Sequence, residues 1–156
     1  MSTTEITIAR LLDEASIRDA TARFADAATR GDLGALRATL AEHAEWSIGD
    51  QVHDVGADAV VARFTQLREH MEFFVQFAVQ GPIDIDGDEA TTSCIVHEAA
   101  RGAGESYYRN HCVVYDRLIR SGTGWVFTNR AFRYLWLDTS PFTGDSFQLP
   151  ATVTAS

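Results

Sequence analysis

From Tyr107 to Tyr134 two long runs alternate in character from one residue to the next and meet at Ser121-Gly122-Thr123-Gly124, a pattern that commits this stretch to a pair of long antiparallel strands. The same period of two marks Phe73 to Ile85, Ala90 to Glu98, Glu105 to Leu118 and Gly124 to Leu137 as strands, with breaks at Asp86-Gly87-Asp88, at Arg101-Gly102-Ala103-Gly104 and at Ser121 to Thr123. The first half of the chain keeps a different period. Between Ile6 and Arg30 the residues Ile8, Leu11, Leu12, Ala15, Ile17, Ala20, Phe24, Ala27 and Ala28 recur mostly three or four apart, which predicts a helix closed near Gly31. Asp32 is placed to cap a second short helix, Leu33 to Leu40, by accepting from free amides of its first turn. Glu45 to Ile48 and Gln51 to Asp54 flank Gly49-Asp50 as a small hairpin, and Ala57 to His70 reads as a third helix burying Val60, Val61, Phe64 and Leu67. Helices first and long strands last give an α+β fold, three N-terminal helices packed on one side of a strongly curved, mixed but mostly antiparallel sheet. A sheet curled under a helical cover encloses space, so a pocket is expected before any motif is considered.

The chain of 156 residues fits one domain, expected over 1–150, with a small polar tail at 151–156 expected to fray. Its formal charge of -9 offers no basic block to a phosphate backbone or an anionic membrane, so neither nucleic acid nor membrane is an expected partner. Met1-Ser2-Thr3-Thr4-Glu5 does not open a secretory signal, and no apolar run approaches the roughly 20 residues of a membrane span, so a cytoplasmic location is expected. Two cysteines, Cys94 and Cys112, are too few for a disulfide scaffold.

The helix order, Trp46, the turn Asp86-Gly87-Asp88, and the run from Tyr115-Asp116-Arg117 through Gly124-Trp125 to Arg130 together resemble the SnoaL-like branch of the NTF2-like superfamily, over about Ile6 to Leu137. The resemblance implies a cone whose cavity lies between the concave sheet face and the first helices. It also implies chemistry without a cofactor, of the kind run by scytalone dehydratase, dehydrochlorinase and polyketide cyclase relatives, although the same scaffold serves plain binding proteins. Homodimers or homotrimers formed through the outer sheet face are expected on the same ground.

Alternation groups Tyr108, Asn110, Cys112 and Val114 on one face of their strand; the resemblance to the dehydrochlorinase-like relatives makes Asn110, Cys112 and Val114 the pocket side, with Thr128, Arg130, Phe132, Tyr134 and Trp136 as the matching set on the last strand. In the dehydrating and dehydrochlorinating relatives a His–Asp pair acts as general base beside a cationic group. Carried over by resemblance, the histidine falls at Gln76, its carboxylate at Thr29 and the arginine at Arg130, so the pair itself is replaced here. Arg130 reads either as a clamp for an anionic or carbonyl group, or as a structural ion pair to Asp26 or another helix carboxylate. Asp26 shares roughly one side of its helix with Thr29 and is the substitute carboxylate, unless it faces solvent. Tyr134 and Asn110 are the candidate donors to a carbonyl or enolate oxygen.

The expected pocket wall comprises Trp46, Phe24, Thr29, Phe74, Gln76, Cys112 and Phe132, with Phe73, Phe77 and Trp136 divided between pocket and core. Such a lining suits a flat hydrophobic molecule. His53 and His70 are placed to reach a cavity mouth, whereas His97 and His111 fall on the opposite face; no metal site is expected from their spacing. With the turn centred on Ala103, Cys94 would lie opposite Cys112 and Val96 opposite Asn110. The segment from Ser140 to Pro150 is expected to fold back as a lid or to pack on a partner subunit, anchored by Phe142 and Phe147. The expected function is a cofactor-free dehydration, isomerisation or cyclisation of a hydrophobic polyketide-like or terpenoid-like carbonyl compound, by proton transfer; the alternative is a non-catalytic ligand-binding or accessory protein.

Overall fold

A computed structural model describes residues 2–122 and 124–148; the tail at 151–156 lies outside the described residues. Among the described residues three helices, α1 (Thr3–Arg30), α2 (Leu33–Ala38) and α3 (Ala57–Glu69), precede most of a six-stranded sheet. Its strands are β1 (Leu40–Ile48), β2 (Val52–Val55), β3 (Met71–Asp86), β4 (Glu89–Gly102), β5 (Ser106–Ser121) and β6 (Gly124–Asp138), in the order β2-β1-β6-β5-β4-β3. Among the described strands only β1 and β6 run parallel, and every other neighbouring pair is antiparallel. None of the helices is long and apolar enough to cross a membrane, among the described residues.

Local chemistry sets the helix ends. Ser2 accepts from the Glu5 amide while Glu5 reaches back to the Ser2 amide, so two free donors at the start of α1 are satisfied together. At the other end Gly31 adopts φ 70°, the left-handed conformation that lets its amide return to the last carbonyls. Asp32 caps α2 by accepting from the Ala35 amide.

The apolar stripe of α1 is buried only from Ile17 onward; Ile8, Leu11 and Leu12 are exposed. Along the packed half, Thr29 donates to the Gln76 carbonyl (3.0 Å) and accepts from the Gln76 amide (2.9 Å), pinning α1 to β3. Where β3 loses register with β4 between Gln80 and Ile83, Gly81 passes so close that a Cβ would stand 2.7 Å from the Ser93 carbonyl oxygen. Gly81→Ala is therefore expected to cost about 1–3 kcal/mol by forcing the bulge apart, read as a lower urea midpoint; an unchanged midpoint would mean that β3 yields there freely.

The β4–β5 hairpin differs from expectation in register. Gly104 (φ 78°) and Glu105 (φ 63°) make the reversal, and Gly102 stays in β4 opposite Ser106. The pairing is thereby displaced by two residues, so Val96 rather than Cys94 faces Cys112, and Glu98 rather than Val96 faces Asn110. On β6, shifts near Thr128 and Leu135 break the simple alternation. Thr128 turns aside to donate to the Arg117 carbonyl, and Trp136 lies on the outer face, where it continues a row of rings, Phe77, His97, His111 and Trp136, at centroid spacings of 4.9, 4.6 and 5.6 Å. After β6 the chain folds onto this outer side: Phe142 packs edge-on to Phe73 and Tyr107 beneath Arg109, whereas the expected second anchor, Phe147, is 86% exposed.

Candidate functional site

Inward side chains form rows across the concave face, each row separated from the next by two residues along a strand, about 7 Å. From the wide mouth inward they are Phe74, Ala100 and Tyr108; then Gln76, Glu98 and Asn110; then Ala78, Val96, Cys112 and Tyr134. Deeper still come Cys94, Val114 and Phe132, followed by Thr92, Asp116, Arg130 and Trp46.

The deep rows are filled by the protein itself. Phe24 packs edge-on to Phe64 and Phe127, and Trp46 to Phe64 and Phe132, all of them buried. Arg130 is enclosed among these rings, its guanidinium carbon 4.1 Å from the centre of Phe24 and 4.2 Å from that of Phe127. It forks onto Asp116, with Nε 2.9 Å from one carboxylate oxygen and Nη2 3.2 Å from the other, and both side chains are essentially without solvent contact. Burial opposes the charge on Arg130, and the Asp116 carboxylate more than offsets that opposition.

The expected clamp is thus a core ion pair, and its partner is Asp116 of β5 rather than Asp26. Asp26 is turned to water on α1 and pairs with Arg30 one turn on. Three residues along a helix rotate by about 60°, enough to put Thr29 against the sheet and Asp26 outside it. Phe24, Trp46 and Phe132 correspondingly belong to the packing around Arg130, where sequence reading placed a ligand.

The second row holds the feature that sequence reading did not single out as a catalytic group. Glu98 points into the cone and is partly buried, and each of its oxygens accepts one side-chain amide: Gln76 Nε2 at 2.6 Å and Asn110 Nδ2 at 2.8 Å. Burial raises the Glu98 pKa above the ordinary glutamate value, against the pull of those two donors. Asn110 is held in turn by the Cys112 thiol, which donates to its Oδ1 over 3.4 Å. Tyr108 on the mouth side and Tyr134 on the deeper side bracket the carboxylate, and both phenols have raised pKa values, through burial first and the Glu98 charge second.

At the mouth, beside the first row and not reaching Glu98, opens a cavity of about 230 Å³, lined by Leu67, His70, Met71, Ala100 and Tyr108 among others. His70 thus reaches a cavity mouth, whereas His53 pairs with Glu45 on the surface. Larger recesses of 540 and 650 Å³ lie at the other end of the sheet around His43 and Arg117, whose side chains are exposed to water.

His97 and His111 face outward while Glu98 and Asp116 face inward, and among the described residues no group of three or more His, Cys, Asp or Glu side chains is arranged to hold a metal ion. Burial pushes the Cys94 thiol up to about 11 and the Cys112 thiol up to about 12. Neither should react with Ellman's reagent at pH 8 until the protein is unfolded, when both should; rapid native titration of either would show that thiol to be open to water.

The model of the SnoaL-like domain matches residues 9–131 of the chain. The chain belongs to the SnoaL-like family. As a SnoaL-like domain it shares the NTF2-like cone with solved structures of low sequence identity, which bear on its fold alone. A protein from Novosphingobium aromaticivorans provisionally assigned as a scytalone dehydratase superposes with a TM-score of 0.79 at 16% identity, covering 88% of this chain and 93% of that one. The hexachlorocyclohexane dehydrochlorinase type 3 from Novosphingobium barchaimii gives 0.78 at 16%, covering 92% and 99%. An NTF2-like protein with a cystatin-like fold from Novosphingobium aromaticivorans gives 0.72 at 23%, covering 86% and 90%. No curated protein matches the sequence of this SnoaL-like domain.

Proposed function

We propose that this SnoaL-like domain is an acid–base enzyme that moves a proton on a hydrophobic cyclic carbonyl compound, leading to isomerisation, dehydration or cyclisation, with Glu98 as the proton acceptor. The observation that carries this reading is the placement of Glu98: a carboxylate on the concave face, held at fixed orientation by Gln76 and Asn110, with its pKa raised toward the range where a general base is effective. Each Glu98 oxygen has further lone-pair capacity beyond the one amide it accepts, so a substrate C–H can approach without displacing either. Tyr108 and Tyr134, kept protonated by their raised pKa values, supply O–H donors to the enolate oxygen that forms when the proton leaves. Asn110 positions the base, and Cys112 positions Asn110. The neighbours named for a dehydratase and a dehydrochlorinase support elimination as one outcome of the same proton abstraction.

One observation favours a protein that binds without turnover: both Glu98 oxygens already accept a hydrogen bond, which restrains their basicity. Exchange of carbonyl-activated hydrogens separates the two. 2-Tetralone in deuterium oxide should incorporate deuterium faster with the protein than with buffer, and E98Q should lose about 10²–10⁴ of that acceleration. A wild-type rate equal to buffer, or an E98Q rate equal to wild type, rejects Glu98 as the base.

A further inference from the structure

Strand β6 outruns its parallel neighbour. The β1–β6 pairing ends at Ile48 and Phe132, where β1 turns away at Gly49 toward β2, while β6 continues to Asp138 against β5 alone. Among the described residues no strand pairs with the other edge of β6 from Arg133 to Asp138, and its backbone groups on that side have no backbone partner. Such an edge is a template for another strand unless charge or proline guards it. Here the middle is unguarded: Tyr134, Leu135, Trp136 and Leu137 stand in one run, 46%, 64%, 45% and 47% exposed. Charges lie only at its two ends. Arg133 donates to the Gly49 and Phe132 carbonyls and, among the described residues, meets no carboxylate, whereas Asp138 pairs with Arg109 and accepts from the Ser140 amide.

The faces of this run repeat from either end. Directly opposed residues share a face, so Arg133, Trp136 and Asp138, opposite Val113, His111 and Arg109, lie outside, while Tyr134 and Leu137, opposite Cys112 and Asn110, lie inside. Leu135 is the extra residue of the bulge between them. Without it Arg133 and Asp138, an odd number of positions apart, would fall on opposite faces. With it the order outside, inside, bulge, inside, outside reads the same in both directions and ends in opposite charges.

We propose that a second copy of this chain docks on this edge, antiparallel and about a two-fold axis passing at the bulge, so that one sheet runs through the dimer. In that register Arg133 meets the partner's Asp138, Tyr134 meets the partner's Leu137, and each contact occurs twice. Outer residues meet outer ones and inner meet inner, a match that a slip of one residue would undo. Inside the cone, the row of Gln76, Glu98 and Asn110 runs on to Leu137 and ends there within one chain. The partner's Tyr134 extends it, so each chain adds a phenol to the Glu98 row of the other. This last step rests on the Glu98 reading; the docking itself does not.

Sedimentation equilibrium of wild type, R133D and D138R, singly and mixed, tests the register. Wild type should be dimeric at about 10 μM. R133D sets acid against acid at both ends of the interface and D138R sets base against base, so each alone should associate at least about tenfold more weakly than wild type. Mixed in equal amounts, the two should recover the dimer, because every acid end then faces a basic one. No effect confined to the fold of either chain produces that rescue. Should D138R fail to fold for want of its bonds to Arg109 and Ser140, L135C takes its place: beside the axis it should oxidise to a covalent dimer, whereas D50C on the β1–β2 turn should not, and the native thiols are buried. A monomeric wild type, a dimer indifferent to both charge reversals, a mixture no tighter than its components, or cross-linking of D50C in preference to L135C would overturn the docking. E98Q should dimerise like wild type, and failure of the tetralone exchange leaves dimerisation in place, so the two readings fall separately. Where exchange does occur, its rate per chain should rise several-fold as wild type is concentrated through its dimer constant; a flat rate removes the shared row.

Discussion

Asp116→Asn is expected to destabilise the protein by about 3–5 kcal/mol, a fall of roughly 10–20 °C in melting temperature. The substitution keeps the shape of the side chain and removes only its charge. Arg130 would then remain fully buried with no anion, and a guanidinium does not escape by losing its proton. The faces of Phe24 and Phe127 at 4.1 and 4.2 Å stabilise the cation but cannot replace a bidentate carboxylate. The opposite deletion behaves differently. Arg130→Met leaves Asp116 alone, and a carboxyl can bind a proton; burial already pushes its pKa up, and loss of the adjacent cation pushes it further. The cost of R130M should therefore shrink from pH 8 to pH 5, while that of D116N should not. A double variant, D116L with R130M, should recover most of the loss, because two apolar side chains need no counter-charge. Urea unfolding of the set decides it: a D116N midpoint equal to wild type would show that the pair is neither dry nor essential.

That experiment also bears on what Arg130 is for. An inward-pointing arginine in the last strand reads from sequence as a group awaiting an anion, and the inward direction is confirmed. Its partner sits on the adjacent strand, directly opposite in register, because Asp116 and Arg130 face each other across the β5–β6 pair. A cross-strand neighbour fourteen residues away in the chain is visible only once the β5–β6 turn and the shift at Thr128 are known. The helix carboxylate weighed instead, Asp26, is close to Thr29 in sequence, but the 3.6-residue period separates them.

The elements themselves were legible because their signals are local: the Gly31 stop, the Asp32 cap and the change of period after α3 each depend on a few adjacent residues. The site was not, because it depends on a single turn. Centring the β4–β5 reversal on Ala103 puts Val96 opposite Asn110 and hides Glu98; centring it on Gly104 puts the carboxylate beside the amide. Parity is unaffected by a shift of two, so the inward sets on both strands were assigned correctly while every cross-strand pair was wrong. One signal for Glu98 was present in the letters all the same. It shares the face of Cys94 and Val96, and a lone acid on an apolar inward face has a desolvated charge to account for.

Glu98→Gln should carry the clearest signature of that desolvation: alongside its loss of proton-transfer activity, the variant should be more stable than wild type at neutral pH, by about 3–8 °C in melting temperature. Because the native state raises the Glu98 pKa, the folded protein holds this proton more tightly than the unfolded chain. Its contribution to stability is therefore complete below the ordinary glutamate pKa of 4.5 and is lost as pH rises through the higher native value. Wild type at pH 8 pays for an ionised carboxylate in the cone, whereas glutamine never ionises, so the difference between the two should be widest at high pH and close toward zero near pH 4. Working with the difference removes the opposing trend of Asp13 and Asp138, whose pKa values are lowered by Arg120 and by Ser140 and whose stabilising effect is lost in acid in both proteins. A gap of constant size across the range would mean that Glu98 titrates alike in the folded and unfolded chain. A gap of the opposite sign would mean that Gln76 and Asn110 outweigh burial, leaving Glu98 a structural carboxylate, too weak a base for the chemistry proposed.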